Sequence, residues 1–512
     1  MDPQKEKRIC QVCNSEFVIE PNHFLFYEKI GVPAPVKCPE CRQRLRYAFR
    51  NERRLYRRNC DLCGKSTVTI YSSDKPFKVF CTSCFWGDQW DAKEYAQDFD
   101  FSRQFFEQFY ELLLKSPRIA LLNKNTVNSE YTNHCVDDKD CYLSFGLFNS
   151  ENMYHCANIW VKSRDCIDCT FNSTNISFCY ECVDGKNLHN CQYVKFLKDC
   201  SDCFYSYDCR NCSNCFMCHG LRNKSYCISN QQYTREEYKE KIGKVNLDSR
   251  EVRENLYRQY IDMIRTKAIH RHAVVEKSVN CTGSIVRNSK NAKNVFDVEN
   301  IEDVSFATVV TNAKGCMDLY CAGFQTESVY NSHAITRSSN IISCNLSYDN
   351  TFASYCDSCH NSQNLFGCVS LKKSSYCILN KQYTKEEYEK LVPEIIEHMR
   401  KTGEWGEFFP RRFSPVCYNE TEGQVYMPMT KEEALAQGFK WADNLGGTYG
   451  KETMKIPPDD ISQTSESITN FELRNPNNPL NISQVCYNTK STVRCFLYEN
   501  YYPFLQSNSN KS

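Results

Sequence analysis

Long apolar runs are missing from this sequence. No stretch of about 18 apolar residues occurs, so no membrane-spanning helix is expected. Met1 to Arg8 is charged and no apolar segment follows, which argues against a secretory leader and for a cytoplasmic protein without a membrane partner. Net charge is nearly absent too: 63 basic against 62 acidic residues give +1, so nothing global attracts nucleic acid or a lipid surface, and any electrostatic function must be local. Glycine is scarce, 18 in 512 residues, so left-handed backbone positions fall to Asn and Asp. What is abundant is cysteine, 34 residues, which in a reducing compartment should be thiols or metal ligands rather than disulfides.

Four Cys-x-x-Cys pairs open the chain: Cys10/Cys13, Cys38/Cys41, Cys60/Cys63 and Cys81/Cys84. A tight knuckle presents two sulfurs to one ion, and a tetrahedral zinc needs four thiolates, so two Zn2+ per chain are expected. Asn14 and Gly64 follow knuckles and tolerate the left-handed turn. The simplest partition is sequential, the first pair with the second and the third with the fourth, at ribbon spacings. A cross-braced partition and a disulfide framework are the alternatives. Phe24 to Ile30 reads as a helical turn, and the runs Thr67 to Tyr71 and Phe77 to Phe80 as a hairpin carrying the last pair.

Between the two sets, residues 42–58 hold eight arginines against one acid and no lysine. Read as a helix, Arg42, Arg46, Arg50, Arg53 and Arg57 form one stripe. Arginine suits bidentate phosphate contact, and Tyr47, Phe49 and Tyr56 offer faces for unpaired bases, so RNA or single-stranded DNA is one expected partner. An acidic protein, or internal pairing with the downstream acids Asp88, Asp91, Glu94, Asp98, Asp100 and Glu107, is the other. Ser102 is placed as the cap of a helix whose stripe Phe105, Phe106, Phe109, Leu112 and Leu113 reads as core, ended by Pro117.

From Cys135 to Cys227 the chain carries fifteen cysteines. Cys179, Cys191, Cys203, Cys215 and Cys227 recur at every twelfth position, and Cys156, Cys169 and Cys182 at every thirteenth. Two such arms give a coil of about 25 residues, as expected for a parallel β-solenoid with cysteine columns inside and Asn or Asp at the corners. A second array follows, since Leu221 to Tyr238 and Leu371 to Tyr388 match at 12 of 18 positions. Each copy ends in a capping box, Thr234 with Glu237 and Thr384 with Glu387, starting a helix expected to cover the open end. Ser249 to Ile264 reads as an amphipathic connector. Cys209, Cys212, Cys215 and Cys218 stand two residues apart and suggest either a metal or cluster site or a ladder of thiols.

The expected class is mostly β with added helices. Zinc ribbon 1 is assigned to 1–45, and the basic connector, ribbon 2 and amphipathic helix to 46–120. Array 1 takes 121–233, a helical connector 234–272, array 2 273–383 and a capping helix 384–404. An aromatic module with Trp405, Phe408, Phe409, Phe413 and Trp441 occupies 405–460. Residues 461–512, rich in Asn, Ser, Pro and Thr, are expected to be unstructured.

Phe17, the Phe26-Tyr27-Glu28-Lys29 turn and the Cys38-Pro39-Glu40-Cys41-Arg42 knuckle resemble the zinc-ribbon modules of bacterial proteins. With the cysteine arrays and Gly406-Glu407-Phe408-Phe409-Pro410, the layout over roughly residues 8 to 460 resembles a cysteine-rich bacterial family often labelled CaiB/BaiF. The label implies coenzyme A transfer, for which no residue pattern stands in this chain. Similar proteins carry a further ribbon near the C-terminus; here only Cys417, Cys486 and Cys495 remain, none at knuckle spacing. The function expected is thus a non-enzymatic zinc-binding scaffold contacting an anionic partner through its arginines. A polysaccharide-active β-helix enzyme using Asp137, Asp138 and Asp140, or a thiol redox protein, is the alternative.

Overall fold

The computed structural model describes residues 5–159, 162–167, 169, 179–180, 190–326, 329–333, 337–445, 459–460 and 463, with short strands at Leu473–Arg474, Ile482–Ser483, Tyr487–Thr489 and Thr492–Arg494. Cys182, Cys486, Cys495 and most of the expected tail 461–512 lie outside them. Strands dominate over helices, and no helix among the described residues is long and apolar enough to cross a membrane. The chain forms two compact units that do not follow its linear order. One joins residues 1–122 to 271–443; the other joins 123–270 to the C-terminal residues.

Both arrays obey one local rule. Positive φ recurs at every third residue, as at Asn125, Asn128, Tyr131, His134, Asp137 and Asp140, and again at Asn288, Asn291, Asn294, Asp297, Asn300 and Asp303. Asn and Asp hold many of these corners, where an L side chain is least penalised. Neighbouring parallel strands are offset by twelve positions, as in Ser201↔Ser213↔Ser225 and Ser339↔Thr351, and by thirteen at Arg164↔Glu151 and Met317↔Tyr330. Paired strands thus repeat at twelve or thirteen positions, not at the 25 or so expected of a coil of two arms.

Hydrogen-bond accounting explains why cysteine fills the inside. In many of the described triplets the first residue donates forward to the next strand or bridge, as Val136 N to Leu147 O at 3.1 Å. The corner residue donates back, as Asp137 N to Lys124 O at 3.0 Å. At several buried positions the third residue donates to a side chain twelve positions earlier: Cys141 N to Ser129 Oγ, Cys156 N to Ser144 Oγ, Cys356 N to Cys344 Sγ and Ser362 N to Asn350 Oδ1, at 3.2, 3.1, 3.3 and 2.9 Å. A small side chain with both a donor and an acceptor suits this position, because a buried backbone N–H without a partner is costly. The thiols also donate: Cys218 Sγ reaches Phe216 O and Cys227 O at 3.3 and 3.4 Å. Burial pushes the Cys141 and Cys377 thiols up to about 12, so they remain protonated donors.

In the first unit, ten strands from Val275–Glu276 to Lys381–Gln382 pair in chain order, all parallel but the last. Against this sheet pack the N-terminal modules, the helix Phe105–Lys115 and the aromatic segment after Gly403. Phe105 meets Tyr355 and Phe366 at ring distances of 5.3 and 5.4 Å, and Phe109 stacks on Phe409 at 5.0 Å. The stripe is core, as expected, but Ser102 is not its cap. Ser102 bonds Asp100, and the first free N–H groups, of Phe105 and Phe106, go to the distant Glu404 carboxylate at 3.0 and 2.7 Å. Gly367 has φ +63°, and a Cβ there would lie 2.8 Å from the Phe105 ring.

In the second unit, Ser201–Phe204, Ser213–Phe216 and Ser225–Ile228 are parallel and Gln231–Gln232 returns antiparallel. Lys381–Gln382 does the same in the other unit. The chain reversal takes part of the edge bonds of the last parallel strand in each unit, and the helix that follows packs on the same strand. The helix Arg235–Gly243, with its Thr234/Glu237 capping box, buries Tyr238 against Tyr226, and Arg250–Thr266 brings Tyr260 to Tyr205. Cys191, Cys203, Cys215 and Cys227 are buried in one thiol-lined core.

Candidate metal centres

Each N-terminal module repeats one construction. A strand pair, Glu6–Ile9 with Glu16–Ile19 or Tyr56–Asn59 with Ser66–Thr69, holds the first knuckle between its strands. The second pair sits at a helix start: Cys38 is the N-cap of Pro39–Tyr47, and Cys81 the N-cap of Thr82–Trp86. The expected hairpin carrying Cys81 and Cys84 does not form. Val79–Phe80 pairs in parallel with Arg118–Ile119, and the hairpin frames Cys60 and Cys63 instead. Asn14 and Gly64 take the left-handed conformation at φ 59° and 74°.

Cys10, Cys13, Cys38 and Cys41 converge, as do Cys60, Cys63, Cys81 and Cys84, with the sulfurs of each set within 4.8 Å of one another. This is the sequential partition. A tetrahedral ion with metal–sulfur bonds of about 2.3 Å requires sulfurs about 3.8 Å apart. The Cys13–Cys38 and Cys63–Cys81 separations are 3.7 and 4.0 Å, so the donor sets fit such an ion. Backbone N–H groups already point at the sulfurs: Val12 N and Cys38 N to Cys10 at 3.4 and 3.3 Å, Cys41 N to Cys38 at 3.4 Å, and Cys81 N to Cys60 at 3.2 Å. The Cys41 thiol, helped against burial by the Cys41 N–H and the Cys10 and Cys13 side chains, draws Cys38 down to about 5. At Cys60 burial works upward, but the N–H groups of Cys63, Cys81 and Leu62 bring the thiol to about 7. Two four-cysteine groups able to hold metal ions are therefore present.

The arginines are placed differently from a single helical stripe. The helix ends at Tyr47, and Asn51 builds a turn by accepting Arg54 N at 2.9 Å and donating to Ile70 O at 2.8 Å. Arg57 then lies on the strand Tyr56–Asn59, opposite Val68. Arg42, Arg46 and Arg50 are only 3, 1 and 1 % exposed. Arg42 Nε lies 2.9 Å and Arg46 Nη1 3.4 Å from the carboxylate of Asp318, itself fully buried; Arg46 also donates to Asn331 Oδ1 at 2.9 Å. Arg50 pairs with Glu52 at 2.8 Å and lies over the Tyr320 ring. Burial lowers Arg46; at Arg42 burial is again the largest influence, but Asp318, Tyr27 and Tyr330 together overcome it and raise the group. Arg54 and Arg57 are exposed and Arg53 half-buried.

The acids seen on these buried arginines are Asp318 and Glu52. Asp98 instead meets Lys381, and Asp100 accepts from Ser102. Asp318 occupies a positive-φ corner of array 2 at φ 61°, far downstream of Arg46 along the chain, where no sequence signal marks it as a partner. Arg118, also unforeseen, is buried with Asp357 at 3.2 Å and lies over Phe77.

Cys209, Cys212, Cys215 and Cys218 do not converge on one point; among the described residues the only groups with metal-ligand spacing are the two N-terminal ones. Their thiols donate to carbonyls two residues earlier, a ladder rather than a cluster. Asp137 and Asp140 accept from Asn125 and Asn128 of the preceding layer at 2.9 and 3.1 Å, while Asp138 faces inward and accepts Ser150 N at 2.7 Å. Each of these three acids bonds a residue twelve positions away along the chain. A cleft of about 400 Å³ lies between Trp86–Glu94 and Lys372–Ser374, and Lys372 spans it by donating to Phe85 O and Gly87 O at 2.6 and 3.2 Å.

No protein-family model matches the chain, and no curated protein matches it.

Proposed function

We propose that this protein is a non-enzymatic, cytoplasmic scaffold in which Cys10, Cys13, Cys38 and Cys41 hold one zinc and Cys60, Cys63, Cys81 and Cys84 another. The observation that carries the reading is the convergence of four sulfurs in each module at tetrahedral spacing. Zinc supplies no chemistry to a substrate in such a closed thiolate site; it supplies folding energy. The knuckle N–H groups and the helix starts at Cys38 and Cys81 offset thiolate charge. In the same reading the two arrays are β-solenoids of twelve positions per coil, and array 2 is the wall on which the zinc modules are mounted through Arg42 and Arg46. The kinship with the cysteine-rich family labelled CaiB/BaiF belongs to this proposal as well, without coenzyme A transfer.

Elemental analysis of protein purified under reducing conditions tests it. About two zinc atoms per chain are expected, falling by one in Cys38→Ser. Less than one zinc, or iron in its place, would sink the reading.

An anionic partner such as single-stranded RNA would have to use arginines other than the buried three. Exposure of Arg54 and Arg57 supports that as a second reading. Changing both to Gln should flatten the salt dependence of RNA binding by roughly 1.4 units, at about 0.7 per phosphate contact. No binding by the unmodified protein at low salt would remove it.

A further inference from the structure

Outside the two four-cysteine sets, one cysteine stands beside a buried cation. Cys417 Sγ lies 3.6 Å from Lys75 Nζ, across 342 residues of sequence. Lys75 follows the strand Ser66–Thr69 of the second module and its side chain is 8 % exposed; Cys417 is half-buried. Glu420 fixes both. Its Oε2 accepts from Lys75 Nζ at 3.0 Å and from the Cys417 N–H at 2.6 Å, while Oε1 accepts from Tyr56 Oη at 2.5 Å. Asp74 lies 3.9 Å from Lys75, and Lys440, which donates to Ser414 O at 3.0 Å, also bears on the Cys417 charge. A thiol and a primary amine are thus held at contact distance, with a carboxylate placed to take the ammonium proton.

We propose that Lys75 and Cys417 are a modification site at which hydrogen peroxide forms a nitrogen–oxygen–sulfur bridge, tying the second four-cysteine module to the C-terminal segment. One peroxide oxidises the Cys417 thiol to a sulfenic acid and leaves as water. A second oxidises the Lys75 amine, its ammonium proton passed to Glu420 Oε2, to a hydroxylamine, releasing another water. The S–OH and HO–NH groups then condense to S–O–NH with loss of a third water. Sulfur and nitrogen each give up two electrons, and the two peroxide O–O bonds accept all four. The partly exposed sulfur admits a small oxidant, and the Glu420 clamp removes the search for the amine.

The test treats the full-length protein with hydrogen peroxide, alkylates the remaining thiols, digests it and maps cross-linked peptides by mass spectrometry. The expected product joins the Lys75 and Cys417 peptides, about 14 Da heavier than their sum, and disappears on treatment with dithiothreitol. It should be absent from Cys417→Ser and Lys75→Arg and retained in Lys440→Arg. Recovery of Cys417 only unmodified, as a sulfinic or sulfonic acid, or linked to Lys440 or another cysteine would overturn the proposal. Should Lys75→Arg lose its fold by circular dichroism, the peptide map of the unmodified chain and of Lys440→Arg decides alone.

Discussion

Asp318 offers the sharpest perturbation of the brace between the first module and array 2. Asp318→Asn keeps the shape and one acceptor but removes the charge facing Arg42 and Arg46, both buried and within 2.9 and 3.4 Å. Breaking a buried pair in this way costs about 3–5 kcal/mol, because the cations left behind have already lost their water. For a unit of this size each kcal/mol moves Tm by about 2 °C, so a fall of roughly 6–10 °C is expected in a thermal melt. Replacing the whole set, Arg42→Met, Arg46→Met and Asp318→Leu, should recover much of the loss, since no buried charge then remains. Lys431→Gln, at the exposed pair with Asp443, should leave the melt unchanged. A loss below about 1 kcal/mol for Asp318→Asn would refute the reasoning, for it would mean that these arginines are solvated.

Asp138 should impose a pH dependence on the second unit. Burial raises it to about 7, above its unfolded value, so the folded state holds a proton the unfolded chain has lost; stability falls as pH rises from about 4 to 7. Asp138→Asn, which keeps an acceptor for Ser150 N, should therefore stabilise the unit at pH 8 by on the order of 4 kcal/mol, read as a rise in Tm, and make little difference at pH 4. Melts with equal differences at both pH values would count against it. Cys344→Ala removes the acceptor for Cys356 N and the donor to Ala353 O, a loss of about 1–3 kcal/mol in urea titration, while Cys344→Ser should cost less; equal losses would show that only sulfur packing matters. Gly367→Ala, at positive φ and against Phe105, should destabilise by about 1–2 kcal/mol in the same assay, and a neutral result would mean that the helix Phe105–Lys115 can shift.

Much of the chain could be read locally because its causes are local. A Cys-x-x-Cys pair makes its own knuckle, Thr384 with Glu387 caps its own helix, and an Asn or Asp every third residue tolerates its own corner. The two groups of four cysteines that converge were legible for that reason, as was the twelve-position spacing of paired strands. The strand register was not, because a twelve-position period does not say whether strands one period or two periods apart pair, and only the hydrogen bonds distinguish them. The arginine run shows the same boundary. Its 3/4 spacing suggested one helical face, but Asn51 turns the chain after Arg50, and the charge of Arg42 and Arg46 is answered by Asp318, in a different part of the sequence. Sequence alone determined which residues carry charge and which thiols can share an ion. Tertiary structure alone decided that residues 1–122 pack with the second array in one unit, since burial of a guanidinium depends on what the fold brings to it, not on its neighbours along the chain.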